Sequence, residues 1–493
     1  MTNIKTIKSK ILFISPNRQT KPHRVTPVGI LYLAAGLLEK KHAVKVVDLM
    51  FSSDPSRDIV NAIQNLNPDI ICISIRNVNK TYTEDANVIP DIVLSMETVK
   101  KHSTCKTIVG GPGFSLMPEE LMKKLKPDFG IIGEADHSLP ALVACIQDQK
   151  EYRDIPGLIY QDKEGILRAN PPDRIPDLDT IPFQVIELIN FKKYGKRAGN
   201  LGLFTRKSCP QRCIYCAESQ INGRQVRLRS AGRVVDEIEY LIDQTGIADF
   251  DFSDTVFNVP REHAMNVCRE IIRRHIKFQF EVELNPIGQD AESVSLLKDA
   301  GCRAVTLTAD SGSDRMLKQL QKGFASKEVL EVATLYAQFN IPYIVCFLLG
   351  GPGEDLASIR DSITLAENCP QMTAALFAFG IRVFDNTALR NMMINEGLGG
   401  QENSFLEPKW YLSSTFDDQC AELLLDACSR RCNFFLSQHA FCFNSKLVQW
   451  LSNYSKTRPT WKYLRYLGLL LKIKNFGQRP LYWDGRARTF KCT

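Results

Sequence analysis

Apolar and polar positions alternate along this chain in two successive rhythms. From Lys10 to about Lys150, short apolar runs (KILFIS, AVKVVDLM, DIICISI, KTIVG, FGII) are separated by stretches such as VGILYLAAGLLEKK and PEELMKKL, whose apolar residues recur at helical spacing. Continuous apolar runs suit strands buried on both faces, and their alternation with helices predicts a doubly wound parallel sheet. A polar, proline-rich stretch, PPDRIPDLDTIPF, then marks a connection. After it the beat resumes, with LGLFTRKSCP, FDFSD, KFQFEVELN, RAVTLTAD, PYIVCFLLG and ALFAFGIRV as strands and VVDEIEYLID, SVSLLKDAG, EVLEVATLYAQF and SIRDSITLAEN as helices. The predicted fold class is α/β. A Rossmann-like parallel sheet spans residues 1–150, a linker 151–198, a partial barrel of six strand–helix repeats 199–395, and a mainly α segment 396–493.

Sheets of this kind bind ligands at the carboxyl ends of their strands. In the first domain those ends hold Ser74, Arg76 and Asn77, then Gly110, Gly111, Gly113 and Phe114, then Gly133, Glu134 and Ala135. Glycines there permit tight turns and close backbone approach to a ligand, and turns without a ligand use them for the same reason. The G-x-G-x-x-G spacing of dinucleotide sites is missing. In the second domain the ends hold Ser253 and Asp254, Asn285, Asp310 and Ser311, and Gly350, Gly351 and Pro352. Asp254 and Asp310 would also serve as helix N-caps.

At 493 residues, 44% hydrophobic and 24% charged, the chain has the composition of an ordinary globular protein with room for about three domains. A net charge of +7 is mild for this length and does not point to nucleic acid. The fifteen cysteines lie singly in apolar contexts such as Cys72 and Cys346, where a free thiol behaves as a small hydrophobe, and an odd count fits a reducing compartment. The apolar run ILFIS after the basic start is too short for a signal peptide, and no stretch approaches the ~20 apolar residues of a membrane span. A cytoplasmic location is expected.

Against that scatter, CPQRCIYC stands out. Cys209, Cys213 and Cys216 are spaced C-x3-C-x2-C, with no second knuckle or histidine pair to complete a zinc site. Cys428 and Cys432 form a lone C-x3-C inside LLLDACSRRCNFF, whose helical repeat suits core thiols. Three thiolates on one loop leave one iron of a four-iron cluster without a local ligand, open to a small molecule. With Tyr215 before the third cysteine, the loop resembles the signature of the radical S-adenosylmethionine (SAM) enzymes. The strand, GGPGF and FGIIGEA order of the first domain is similar to the cobalamin-binding domain that precedes many of them.

The resemblance implies a 4Fe–4S cluster on the three cysteines, with SAM chelated to the open iron and cleaved to a 5′-deoxyadenosyl radical. It implies SAM contacts from Tyr215, Ser253, Asp254, Asn285, Asp310, Ser311, Gly350, Gly351 and Pro352. A carboxylate there would accept the ribose hydroxyls, and a Gly-Pro turn would let backbone approach the adenine. Cobalamin would lie on the first-domain residues named above. No D-x-H-x-x-G element offers a histidine to cobalt, so cobalamin would be base-off, and Arg76, which cannot donate a lone pair, would lie beneath the corrin as a catalytic group that disfavours a lower ligand. The alternative for Arg76 is an ion pair with Glu84 or Glu134. Asp310 stands where many relatives carry glutamate, and Asp385 and Asn386 where many carry a proline-glycine pair.

The function implied is a C-methyltransferase that moves a methyl group from SAM through methylcobalamin to a carbon of a small-molecule, natural-product or lipid-like substrate, with a flavodoxin- or ferredoxin-type electron donor. A cobalamin-dependent cyclisation, rearrangement or oxidation without methyl transfer is the alternative, and a non-catalytic cobalamin or SAM sensor a third reading. FLEPKWYLSS resembles the region after the barrel in cobalamin-dependent methylases. The basic, apolar stretch WKYLRYLGLLLKIK would suit a membrane surface or a lipid-like substrate, although packing on its own domain is the commoner fate of such helices.

Overall fold

The computed structural model describes residues 8–19, 24–78, 88–194, 201–399, 406–436, 481–486 and 488–492. The five apolar runs of the first domain form β1 (Lys10–Ser15), β2 (Ala43–Asp48), β3 (Ile70–Ser74), β4 (Lys106–Gly110) and β5 (Phe129–Ile131), parallel and in the order β2-β1-β3-β4-β5. Ile11, Leu12, Phe13 and Ile14 of β1 are all buried, as expected of a strand covered on both faces. The sheet does not stop where the sequence suggests a linker. β6 (Leu158–Gln161) and β7 (Leu167–Ala169) extend it antiparallel beyond β5, and the proline-rich connection follows them.

The second sheet begins with β8 (Gly202–Leu203). It is followed by a short antiparallel pair, β9 (Arg206–Lys207) with β10 (Arg227–Leu228), which brackets the cysteine loop. LGLFTRKSCP, read as one strand, is therefore two, broken at Phe204 and Thr205. β11 (Asp249–Phe252), β12 (Gln279–Leu284), β13 (Cys302–Asp310), β14 (Tyr343–Leu349) and β15 (Ala374–Phe379) continue the sheet parallel to β8. A side pair, β16 (Ile381–Val383) with β17 (Lys409–Tyr411), leaves the end of β15, and a seventh parallel strand, β18 (Phe434–Leu436), closes the order β18-β15-β14-β13-β12-β11-β8. β18 was not expected. The helical repeat in LLLDACSRRCNFF ends at Arg430, because β15 offers an unpaired edge that takes NFFL as a strand. Among the described residues beyond 396, one helix, Asp418–Arg430, is accompanied by strands, including the hairpin β19 (Leu481–Asp484) and β20 (Thr489–Cys492). WKYLRYLGLLLKIK lies outside the described residues. Among those described, no helix is long and apolar enough to cross a membrane.

Strand alternation sets the barrel's two faces. Val282, Leu284, Val305, Leu307, Val345, Phe347 and Phe377 are buried in the main core beneath the helices. The pleat sends Glu283, Thr306, Thr308 and Cys346 to the opposite face, the barrel interior.

A fully buried polar network joins the two sheets. Glu237, on the barrel helix Ala231–Thr245, pairs with Arg229 at 2.6 Å, both side chains 0% exposed. The same carboxylate accepts from Tyr32 Oη (3.1 Å) on the first-domain helix Val28–Glu39 and from the backbone N–H of Gln184 (3.0 Å) in the connection. Gln184 Nε2 in turn donates to Tyr32 Oη and to the Gly202 carbonyl, and Arg229 lies 4.9 Å from the Phe204 ring centre. Removing one partner of such a pair leaves a buried charge uncompensated. Glu237→Ala is expected to cost about 3–5 kcal/mol, read as a lower urea midpoint. Arg229→Met with Glu237→Leu together should cost less than Glu237→Ala alone.

Candidate active site

The cysteine loop is held on three sides. Asp254 accepts from the N–H (3.0 Å) and Oγ1 (2.8 Å) of Thr205 and the N–H of Arg206 (3.2 Å), clamping the end of β11 to the chain that delivers Cys209. Ile214 N–H donates to the Leu320 carbonyl, and the Ile214 carbonyl accepts from Leu389 N–H. Gln220, just past Cys216, donates to the Asp385 carbonyl at 2.6 Å. Ile214, Leu320, Ile381, Leu389 and Tyr411 share one apolar cluster with Ile75, Val78 and Phe114 of the first domain. The loop is thus set against the carboxyl end of the first sheet.

Cys209, Cys213 and Cys216 are free thiols; burial is the main cause that pushes Cys216 up to about 11, and Cys213 and Cys209 are near enough to add to it. Burial raises Cys213 and the Lys322 ammonium opposes that, so a cation stands beside a sulfur that must lose its proton to bind iron. The donor set fits an iron–sulfur cluster.

Asp310 is brought to the same place. It lies in the left-handed region (φ +64°), where β13 slips register against β14. This conformation accompanies a carboxylate that accepts from Tyr215 Oη and pairs with Lys322 at 2.8 Å. It is not an N-cap, since the next helix starts at Asp314 with Ser313 as its cap, and Asp254 caps no helix either. Ser253 stays exposed at the rim.

Several expected ligand residues have other work. Both Asp254 oxygens are used on Thr205 and Arg206. Glu134, expected at the cobalamin, accepts from Arg227 with both oxygens and from Ile175 N–H (3.0 Å), with Lys207 Nζ at 3.9 Å; burial would raise its pKa, but these partners outweigh it and hold the carboxyl below its usual value. It ties β5 to the strand pair flanking the cysteine loop. Phe114 is fully buried, its ring filling the space a Cβ on Gly130 would take. Ala135 packs into a first-domain core. Ser311 is fully buried against Ser362 and accepts from Ser313 N–H. Asn285 Oδ1 accepts from Asn258 and Ile287 N–H. A Cβ on Gly111 (φ +101°) would sit 2.7 Å from the Ile75 carbonyl, so that glycine serves backbone packing onto β3. Gly113 donates its N–H to the same carbonyl, and Gly133 donates its N–H to Ser115 Oγ. Gly110 pairs with Ser74 in the sheet. A Cβ on Gly350 would meet Leu412 at 2.7 Å, and Gly351 and Pro352 are buried beside it.

Arg76, by contrast, has no hydrogen bond or ion pair among the described residues. It follows β3 and lines a cleft with Pro16, Asn17, Asn77 and Val88, and burial lowers its pKa. Glu134 is engaged elsewhere, and Glu84 lies outside the described residues. Unpaired among the described residues, this guanidinium at the strand end could face a corrin bound there.

Two families match, each over the expected stretch: the B12 binding domain over residues 16–143 and the radical SAM superfamily over residues 205–366. The chain is a cobalamin-dependent radical SAM enzyme. SAM, a 4Fe–4S cluster and cobalamin are its cofactors. An uncharacterized methyltransferase of Pyrococcus horikoshii is 23% identical over 85% of this chain and 91% of its own length. The tryptophan 2-C-methyltransferase of Streptomyces laurentii is 25% identical over 79% of this chain and 75% of its own. The structure of the radical SAM methyltransferase TsrM from Kitasatospora setae, with cobalamin and a [4Fe-4S] cluster bound, superposes with a TM-score of 0.80 at 20% identity, covering 94% of this chain and 98% of that one.

Two residues of this radical SAM enzyme escaped the sequence reading. Lys322, in LQKGF, carries no signal of its own and reaches the cysteine loop only through the fold. Glu283 did carry one, since KFQFEVELN alternates and places it opposite Val282 and Leu284. Glu283 keeps accessible surface inside the barrel, has no side-chain hydrogen bond among the described residues, and burial pushes its carboxyl up to about 7. A carboxyl raised in the folded state costs stability as pH rises above its unfolded value, and the cost levels off above about 7. Glu283→Gln should therefore raise the melting temperature of the cofactor-free protein at pH 8 and leave it unchanged at pH 4.

Proposed function

We propose that this enzyme is a C-methyltransferase, converting a C–H bond of a small-molecule substrate to C–CH3 with SAM as the methyl source. The observation that carries this reading is the apposition of two cofactor ends: the carboxyl edge of the first sheet, with Arg76, and the cysteine loop share one apolar cluster. The methyltransferases among its relatives point the same way. Bound there, the three cofactors would supply one-electron reduction and a transferable methyl group.

In this reading Cys209, Cys213 and Cys216 hold the cluster, and Tyr215 and Asp310 shape its open side. Ser253, at the rim, contacts SAM. Ser74, Arg76 and Asn77 receive cobalamin, with Arg76 beneath the corrin keeping the lower face free of a ligand. Glu134 and Asp254 act as positioning residues that fix the loop. The division into residues 1–150, 199–395 and 396–493 is retained, with β6 and β7 added to the first unit. A small-molecule substrate enters between the sheets, and a flavodoxin- or ferredoxin-type protein delivers electrons.

Anaerobic reconstitution tests the cofactor assignment. Wild type is expected to bind cobalamin and about four irons per chain, and the Cys209, Cys213, Cys216 triple alanine variant cobalamin alone. Iron without cobalamin in wild type would remove the methyl-transfer reading. With SAM labelled in its methyl group, products gaining that label support methyl transfer, whereas oxidised or cyclised products of unlabelled mass support the alternative. Arg76→His should place an imidazole where no ligand stood, read as nitrogen splitting in the cob(II)alamin EPR spectrum that wild type lacks.

A further inference from the structure

The side chain of Lys322 is 9% exposed and touches two polar groups, Asp310 and Tyr215, at the cysteine loop. Its Nζ lies 2.8 Å from Asp310 Oδ2 and 3.3 Å from the Oη of Tyr215, the residue just before Cys216. The ammonium also sits 5.8 Å from the Tyr215 ring centre and 5.6 Å from that of Phe324. The Ile214–Leu320 backbone hydrogen bond fixes the Lys322 segment to the loop. One cation and one anion, in contact and both shielded from water, thus stand against Tyr215 of the cysteine loop.

Reduction adds negative charge to a cluster, and hydrogen bonds to its sulfurs and the net charge around it set how readily it accepts that charge. We propose that Lys322 and Asp310 form a tuning pair for the cluster: Lys322, through its charge against the cysteine loop, favours the reduced state, and Asp310 offsets part of that charge. The proposal rests on the reading that Cys209, Cys213 and Cys216 hold a 4Fe–4S cluster. It assigns the two residues opposite signs, which a purely structural role does not.

The test is an EPR-monitored redox titration of the anaerobically reconstituted full chain without added SAM, in wild type, Lys322→Met, Lys322→Arg and Asp310→Asn. The midpoint is expected to fall in Lys322→Met, to rise in Asp310→Asn, and to stay near wild type in Lys322→Arg. Shifts of the same sign in Lys322→Met and Asp310→Asn, or midpoints equal to wild type at equal iron content, overturn the pair. If Lys322→Met takes up too little iron to titrate, Asp310→Asn decides alone, and a midpoint at or below wild type overturns the proposal. Iron retained by the triple alanine variant would instead overturn the underlying cluster assignment, whatever the midpoints.

Discussion

The buried carboxylate of Glu237 is the constraint on which the arrangement of the two sheets depends. It takes Arg229 from the barrel, Tyr32 from the first domain and the backbone of Gln184 from the connection between them. In a low-dielectric interior a carboxylate with three donors is stable only while all three are present, so the network tolerates little sliding of one domain over the other. Hydrophobic contact alone would hold the sheets together without fixing their register, because apolar packing has no direction.

That fixed register matters at the opposite end of the interface. Glu134 reaches from β5 to Arg227 and Lys207, the residues flanking the cysteine loop, and Asp254 reaches from β11 to Thr205 and Arg206 on the same stretch. Both carboxylates sit at strand ends, where a ligand role was expected. Each stands one shell behind the loop, orienting the residues that would hold the cofactors. Cofactors held against one another at such a junction would need that kind of support, since small displacements of a first contact are costly.

The site was only partly legible in the chain. The cysteines were legible because their spacing is local, and their chemistry follows from three thiols on one loop. Strand ends were legible because apolar runs end abruptly at polar residues. What each polar residue does there was not. Ser311 and Asp310 are neighbours in sequence, yet one is buried against Ser362 while the other, turned by a left-handed backbone, faces Tyr215 and Lys322. Gly111 and Gly350, read as ligand turns, also allow the chain to approach Ile75 and Leu412, which no local pattern indicated. β18 was hidden for a related reason: NFFL has no pattern distinct from the helix before it, and only the open edge of β15 makes it a strand.

Local information, carried by period and spacing, was enough to determine two α/β units, the order of their strands along the chain and the loop that holds three cysteines. Side-chain period depends on backbone geometry within a few residues, so it survives in the sequence. Tertiary structure decided the rest: that the first sheet runs on through Ala169, that Glu134 and Asp254 are committed to the loop, that Arg76 stays unpaired among the described residues, and that Lys322 joins Asp310 at Tyr215. These are pairings between residues tens to hundreds of positions apart, and the energy of such a pair depends on distance and burial that only the folded chain defines.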